Sequence, residues 1–267
     1  MRLDIVDCES FYASRLGHVA RRMVWRAVRE VWPDLKELSV AGIGHATPYL
    51  APFISEAARV MAFMPASHGV RPWPVDGPRL VALADDADLP LPDGALDRVL
   101  LIHGLEHGAP VRPMLREIWR VLADGGRLLC VVPNRRGLWA RVERTPFGAG
   151  RPFSPNQLRE LLRDNLFTPG PAAAALYLPP ARSTVLLRTA GAWERFGRRW
   201  GLPFGGVVLI EATKQIYGAR LEGASEAVRR RIYVPAPGLD TFDAPVKLPP
   251  LRRGEPAPVD LLSRKTP

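Results

Sequence analysis

Leu38-Ser39-Val40-Ala41-Gly42-Ile43-Gly44 decides how this chain is read. It is a short apolar run that ends in two glycines, which reads as a buried strand entering a tight turn. Further apolar runs follow at Arg59 to Met64, Leu80 to Leu83, Val99 to Ile102 and Arg127 to Val132. Helical patterns separate several of them. The clearest runs from Pro113 to Leu122 and stops at Asp124-Gly125-Gly126. Strands alternating with helices predict an α/β fold, a parallel sheet covered on both faces.

The pattern continues on either side. Before the first strand, Phe11, Leu16, Val19, Ala20, Met23 and Val24 recur with helical spacing. After the fifth, Ser154-Pro155-Asn156-Gln157 opens a helix, with Ser154 as N-cap, Pro155 in the first turn and Gln157 completing a capping box. Ala172 to Leu178 and Gly206 to Ala212 are two more strand candidates. An arginine-rich helix is expected between them, from Thr184 to Trp200.

Composition sets outer bounds. The chain has 267 residues, 47% of them apolar, enough for one ordinary core. It contains no run of about 18 apolar residues that would span a membrane. The charged opening lacks the apolar stretch of a signal peptide. Its two cysteines, Cys8 and Cys130, suggest neither a disulfide framework nor a zinc finger. A cytoplasmic location is the simplest expectation. The net charge of +10 favours anionic partners without choosing among nucleic acid, lipid surface and phosphorylated metabolites. Residues 216–267 hold 8 prolines with little apolar pattern, 9 basic and 6 acidic residues. The expected organisation is a domain over 1–216 and a proline-rich basic tail over 217–267, extended or disordered.

Three stretches, in order, resemble the class I S-adenosylmethionine (SAM)-dependent methyltransferases, in particular the methyltransferase type 11 group. Val40-Ala41-Gly42-Ile43-Gly44-His45-Ala46 is similar to the group's glycine turn. Ala84 to Val99, containing Asp85-Asp86-Ala87, resembles the adenine-side loop, and the strand beyond it ends at Leu105-Glu106-His107. Leu115 to Leu129 resembles the helix, glycine turn and strand that come next. The segments SFYASRLGHVARR, GIGHATPYL and PNRRGLWARVERTPFGAGRPFSP also look like those of a bacterial set within the group. The resemblance implies a Rossmann-like, seven-stranded, mostly parallel sheet with helices on both faces and an antiparallel seventh strand. It implies SAM as cofactor and methyl transfer as activity.

Carried onto these residues, the resemblance implies a cofactor site at Gly42, Gly44, His45, Ala46, Asp85, Asp86, Ala87, His103 and Leu105. The first loop would meet the methionine portion, Asp85 or Asp86 the adenine, and His103 to Leu105 the region of the reactive methyl. His107 is the candidate catalytic base. The chain departs from the pattern at Val40 and near Met64-Pro65, where acidic residues are expected, and at Ala46 in place of a glycine. Losing a carboxylate bond to the ribose costs about 1.5–3 kcal/mol, so weaker cofactor binding is expected.

His103-Gly104-Leu105-Glu106-His107 formally matches the His-x-x-Glu-His of one zinc peptidase class. That pattern needs a helix to align its histidines, and here a glycine follows a strand end, so no metal is expected. Trp193, Phe196, Trp200 and Phe204 lie among arginines. They suit either a core-facing stripe or a helix lying on an anionic membrane. The acceptor is expected to be a small or lipid-like molecule. The alternatives are a methyltransferase fold kept as a binding or regulatory module, and an RNA methyltransferase.

Overall fold

The computed structural model describes residues 4–66, 69–107, 110–181 and 183–215. The chain opens with two helices, α1 (Ile5–Ala13) and α2 (Arg15–Val31). Ser14 separates them in extended conformation, and its hydroxyl accepts from Gly17 N–H, so it caps the second helix. Then come β1 (Ser39–Gly44), a one-turn helix α3 (Thr47–Leu50) and β2 (Arg59–Pro65). β3 (Val81–Ala84), β4 (Leu96–Ile102), α4 (Val111–Val121) and β5 (Leu122–Pro133) follow. The remainder is α5 (Pro155–Asp164), β6 (Phe167–Ala175), α6 (Thr184–Arg188), α7 (Ala190–Arg199) and β7 (Val207–Lys214).

One seven-stranded sheet results, in the order β3-β2-β1-β4-β5-β7-β6. β1 to β5 pair in parallel, and β7 runs antiparallel to both β5 and β6. The expected antiparallel strand near Gly206–Ala212 is therefore present.

Alternation along the central strands builds two cores. Val40, Leu100, Ile102, Leu129 and Val131 face α2 and α3, with Met23, Val24, Val28, Tyr49 and Phe53. Their neighbours Ala41, Ile43, Val99, Leu101, Leu128 and Cys130 face α4 and α5, with Leu115, Ile118, Leu158 and Leu162. A strand buried on both faces reads as a continuous apolar run, which is how these strands read in sequence.

Two expectations are corrected. The helix expected from Thr184 to Trp200 is two helices, because Thr189 turns its hydroxyl back onto the carbonyls of Val185 and Leu186. The strand expected at Ala172–Leu178 is centred earlier, at Phe167–Ala175, where it registers against β7. The capping box at Ser154 and Gln157 is formed in full. The expected tail, 217–267, lies outside the described residues.

The loop beyond β3 is held by α4. The Glu117 carboxylate accepts from Leu89 N–H at 2.7 Å and from Arg120 Nε at 2.9 Å. Arg120 in turn donates to the Leu89 carbonyl and to Asp93. Removing this buried acceptor leaves the Leu89 amide unsatisfied. Glu117→Ala is therefore expected to cost about 1–3 kcal/mol of stability, read as a lower midpoint in urea. An unchanged midpoint would show that the tether contributes nothing.

Candidate functional site

Successive strands lie on one side of β1 as far as β3, and then the chain crosses to β4 on the other side. The carboxyl ends of β1 and β4 thus flank the switch point of the sheet, where ligands of such folds bind. At this point the two strands close on each other. His45 N–H donates to the Ile102 carbonyl at 3.0 Å. Gly44 takes φ +79°, and a Cβ there would sit 2.4 Å from that same oxygen. Gly42 is required for packing, since a Cβ would meet Leu50 at 2.5 Å and Ala46 at 2.6 Å. Both glycines are therefore demanded by the protein's own contacts.

Over this edge lies α1. Its Tyr12 hydroxyl sits 2.6 Å from His103 Nε2 and 2.9 Å from the Tyr49 hydroxyl. The other ring nitrogen of His103, Nδ1, is 3.2 Å from the Glu106 carboxylate. His45 stacks on Tyr12, and Phe147 packs against His103 with ring centroids 4.9 Å apart. His45, His103 and Glu106 are all buried. Burial pushes the Tyr12 phenol and the Cys8 thiol well above their ordinary values, with Tyr49 adding to the first and the charge of Glu106 to the second.

The proposed cofactor residues can now be placed. Gly44, His45 and His103 come together at the β1–β4 junction. Ala46 and Leu105 are core residues. Asp85, Asp86 and Ala87 follow β3, two strands from β1 on the same sheet edge, a distance of roughly 10 Å at ordinary strand spacing. Asp85 caps its own turn by accepting from Ala87 N–H. Burial, with Asp85 adjacent, raises the Asp86 carboxyl to about 6. His107 is partly buried, and its ring lies beneath Gly150, where a Cβ would be 2.9 Å from Nδ1.

At the glycine turn, α1 packs closely against the ends of β1 and β2. The gap bounded by Asp4, Ile5, Cys8, Gly44, His45, Met64 and Gly69 holds about 10 Å³. That is room for one water, whereas ligand sites of this kind span roughly 300–1,000 Å³. β2 ends in Met64-Pro65, with no carboxylate to meet a ribose. That gap, bounded by α1, has no room for a molecule the size of SAM. Sequence reasoning missed this because nothing in the spacing of Ile5, Cys8 and Tyr12 says which part of the sheet their helix covers.

A larger cavity, about 550 Å³, lies on the other side of α1. Phe11, Arg15 and Leu16 line one wall, Val142, Arg144 and Pro146 a second, and Leu187 of α6 a third. Phe11 and Phe147, with ring centroids 6.1 Å apart, stand between this cavity and His103. His107 is not among its lining residues.

The sheet order and the switch point are those of a Rossmann-like fold. Residues 38–130, β1 to most of β5, match the family described as "Methyltransferase domain". Over 72 residues the chain is 40% identical to the demethylmenaquinone methyltransferase of Thermus thermophilus. That alignment covers 26% of this chain and 33% of the relative, so the chain spans about a third of the curated relative it matches. Among solved structures, a SAM-dependent methyltransferase from Thermotoga maritima superposes with a TM-score of 0.55 at 20% identity, covering 78% of this chain and 94% of that one. A SAM-dependent methyltransferase from Mesorhizobium loti gives 0.52 at 13% identity, over 71% and 97%. At these identities the likeness is one of fold.

Asp86 offers a test by pH. Its folded value of about 6 lies above the ordinary 3.8, so the folded state holds a proton that the unfolded state releases between those values. Stability conferred by the protonated carboxyl is present below pH 4 and lost as pH rises through about 6. Asp86→Asn is therefore expected to raise the melting temperature at pH 8 and leave it unchanged at pH 4. Equal shifts at both pH values would contradict the assignment.

Proposed function

We propose that this protein transfers a methyl group from SAM to a small, lipid-like acceptor, with α1 moving to admit the cofactor. The observation that carries the reading is where the family match falls. It covers the strands whose carboxyl ends meet at the switch point, together with the acidic loop after β3. The acceptor would enter the 550 Å³ cavity, whose walls mix apolar residues such as Phe11, Leu16, Val142 and Leu187 with polar ones, Arg15 and Arg144 among them being available to an anionic group. The quinone named for the Thermus relative supports an apolar acceptor of this general kind.

A second reading has a specific observation behind it. The narrow gap beneath α1 and the missing ribose carboxylate suit a methyltransferase fold kept as a binding or regulatory module. An RNA acceptor rests on net charge alone, since the described residues hold no element beyond one sheet and its helices.

A lipid-like acceptor would be drawn from a membrane, and the reading includes peripheral contact with an anionic bilayer from the cytoplasmic side. Among the described residues no helix is long and apolar enough to cross a membrane. The α6–α7 segment suits such contact. Ala190, Glu194 and Gly197 form the buried row of α7, so Trp193, Phe196 and Trp200 project outward. These three fall within an arc of about 60° on the helix. Phe204 and Val185 are also exposed, and the same segment carries Arg188, Arg195 and Arg199. The acid of α7, Glu194, is turned inward, accepting from the Leu176 and Tyr177 amides. Exposed aromatic side chains on an arginine-rich segment match the interface of an anionic bilayer.

Two measurements test these readings. Calorimetry with S-adenosylhomocysteine is expected to show weak binding to the full chain. Ile5→Ser, which loosens α1, is expected to tighten it roughly tenfold by raising the open population. No binding to either protein at millimolar concentration would leave the binding-module reading in place of the enzyme. For the membrane face, flotation is read with vesicles of equal parts phosphatidylcholine and phosphatidylglycerol. The full chain is expected to float, and the triple substitution Trp193→Ser, Phe196→Ser, Trp200→Ser to stay behind at unchanged melting temperature. A variant that floats like the unaltered chain would remove α7 from the account.

A further inference from the structure

His103, Glu106 and His107 were set aside as a metal set because no helix aligns them, yet the structure brings them together. Their ligand atoms all lie within 4.8 Å of one another. The device is local backbone conformation rather than a helix. His103 takes φ +53°, a left-handed conformation uncommon outside glycine. The chain then turns, and Glu106 and His107 come to lie beside it.

The geometry points to a divalent transition-metal site of the zinc type at His103, Glu106 and His107. Nδ1 of His103 and Oε1 of Glu106 are 3.2 Å apart. Two ligands of a tetrahedral zinc, each at about 2.0–2.1 Å, are separated by roughly 3.3 Å, so an ion can seat between these atoms with little movement. Two imidazoles and one carboxylate form a donor set that zinc takes in sites that keep a fourth position open.

The surroundings fit the chemistry. With Nδ1 on the ion, Nε2 of His103 carries the proton and donates it to the Tyr12 oxygen 2.6 Å away. Such an outer hydrogen bond fixes the tautomer and orientation of a ligating histidine. Tyr12 is fixed in turn by Tyr49. A divalent ion also offsets the cost of burying the Glu106 carboxylate, which is 1% exposed in its side chain. His107 is partly buried, the other two ligands fully.

This site is independent of the methyl-transfer reading. It requires neither SAM nor movement of α1, and metal uptake is measured without any activity.

The experiment uses the full chain, freed of metal with a chelator and titrated with Zn²⁺ alone. One equivalent is expected to bind at micromolar concentration and to raise the melting temperature by mass action. Glu106→Gln and His107→Ala are each expected to weaken uptake at least roughly a hundredfold, and Tyr12→Phe about ten- to a hundredfold. His18→Ala, at an exposed position on α2, is expected to leave uptake unchanged. Should the ligand variants lose their metal-free melting transition, Co²⁺ loaded into the unaltered chain keeps the test decisive. Intense visible bands of a four-coordinate ion support the site, and weak bands of a six-coordinate one overturn it. No stoichiometric Zn²⁺ uptake, or uptake that survives both Glu106→Gln and His107→Ala, also overturns it. Equal competition by Mg²⁺ would mark a hard-ion surface site and overturn it too.

Discussion

The Tyr12 hydroxyl, 2.6 Å from Nε2 of His103, ties the first helix to the end of the fourth strand. The two residues are 91 positions apart, and no local preference brings them together. Seated by this contact, α1 places Ile5 and Cys8 over the β1–β2 ends and Phe11 toward the large cavity. The gap between α1 and the β1–β2 ends is narrow as a result, and a larger cavity lies on the far side of the helix.

The same constraint organises the chemistry around it. His45, His103 and His107, three of the chain's five histidines, gather with Glu106 where β1 and β4 meet. Buried groups of this kind need partners with good geometry, and they rigidify what they join. A network that both positions α1 and presents a two-histidine, one-carboxylate donor set makes the switch point a built feature of the fold. On the opposite flank, Glu194 holds the end of β6 and so commits α7 to facing its aromatic row outward. One end of the sheet is closed by polar contacts, and the segment beside the large cavity is left apolar and basic.

Much of the fold was legible in the sequence because the central strands are buried on both faces. Val99 to Ile102 and Leu128 to Val132 must be apolar at every position, and they read as such. Ser154 and Gln157 announced their helix through capping chemistry that is local. The candidate site was less legible, for physical reasons. Trp193, Phe196 and Trp200 share a helical period with Ala190, Glu194 and Gly197, so spacing alone does not say which row faces inward. The break at Thr189 depends on one hydroxyl turning back on its own helix. The glycines at 42 and 44 looked like a cofactor cradle, yet contacts with Leu50, Ala46 and Ile102 require them in any case. The convergence of His103 with Glu106 and His107 came from a left-handed φ, which a pattern tied to a helix does not foresee.

On the proposed reading, a cofactor at the switch point displaces α1. Hydrogen exchange across residues 5–13, measured with and without S-adenosylhomocysteine at saturating concentration, tests this most directly. The amides of α1 are expected to exchange faster when the ligand is bound, while those of β1 and β4 are slowed. Slower exchange in α1 on binding would show that the helix closes over the ligand in place, and would contradict the account.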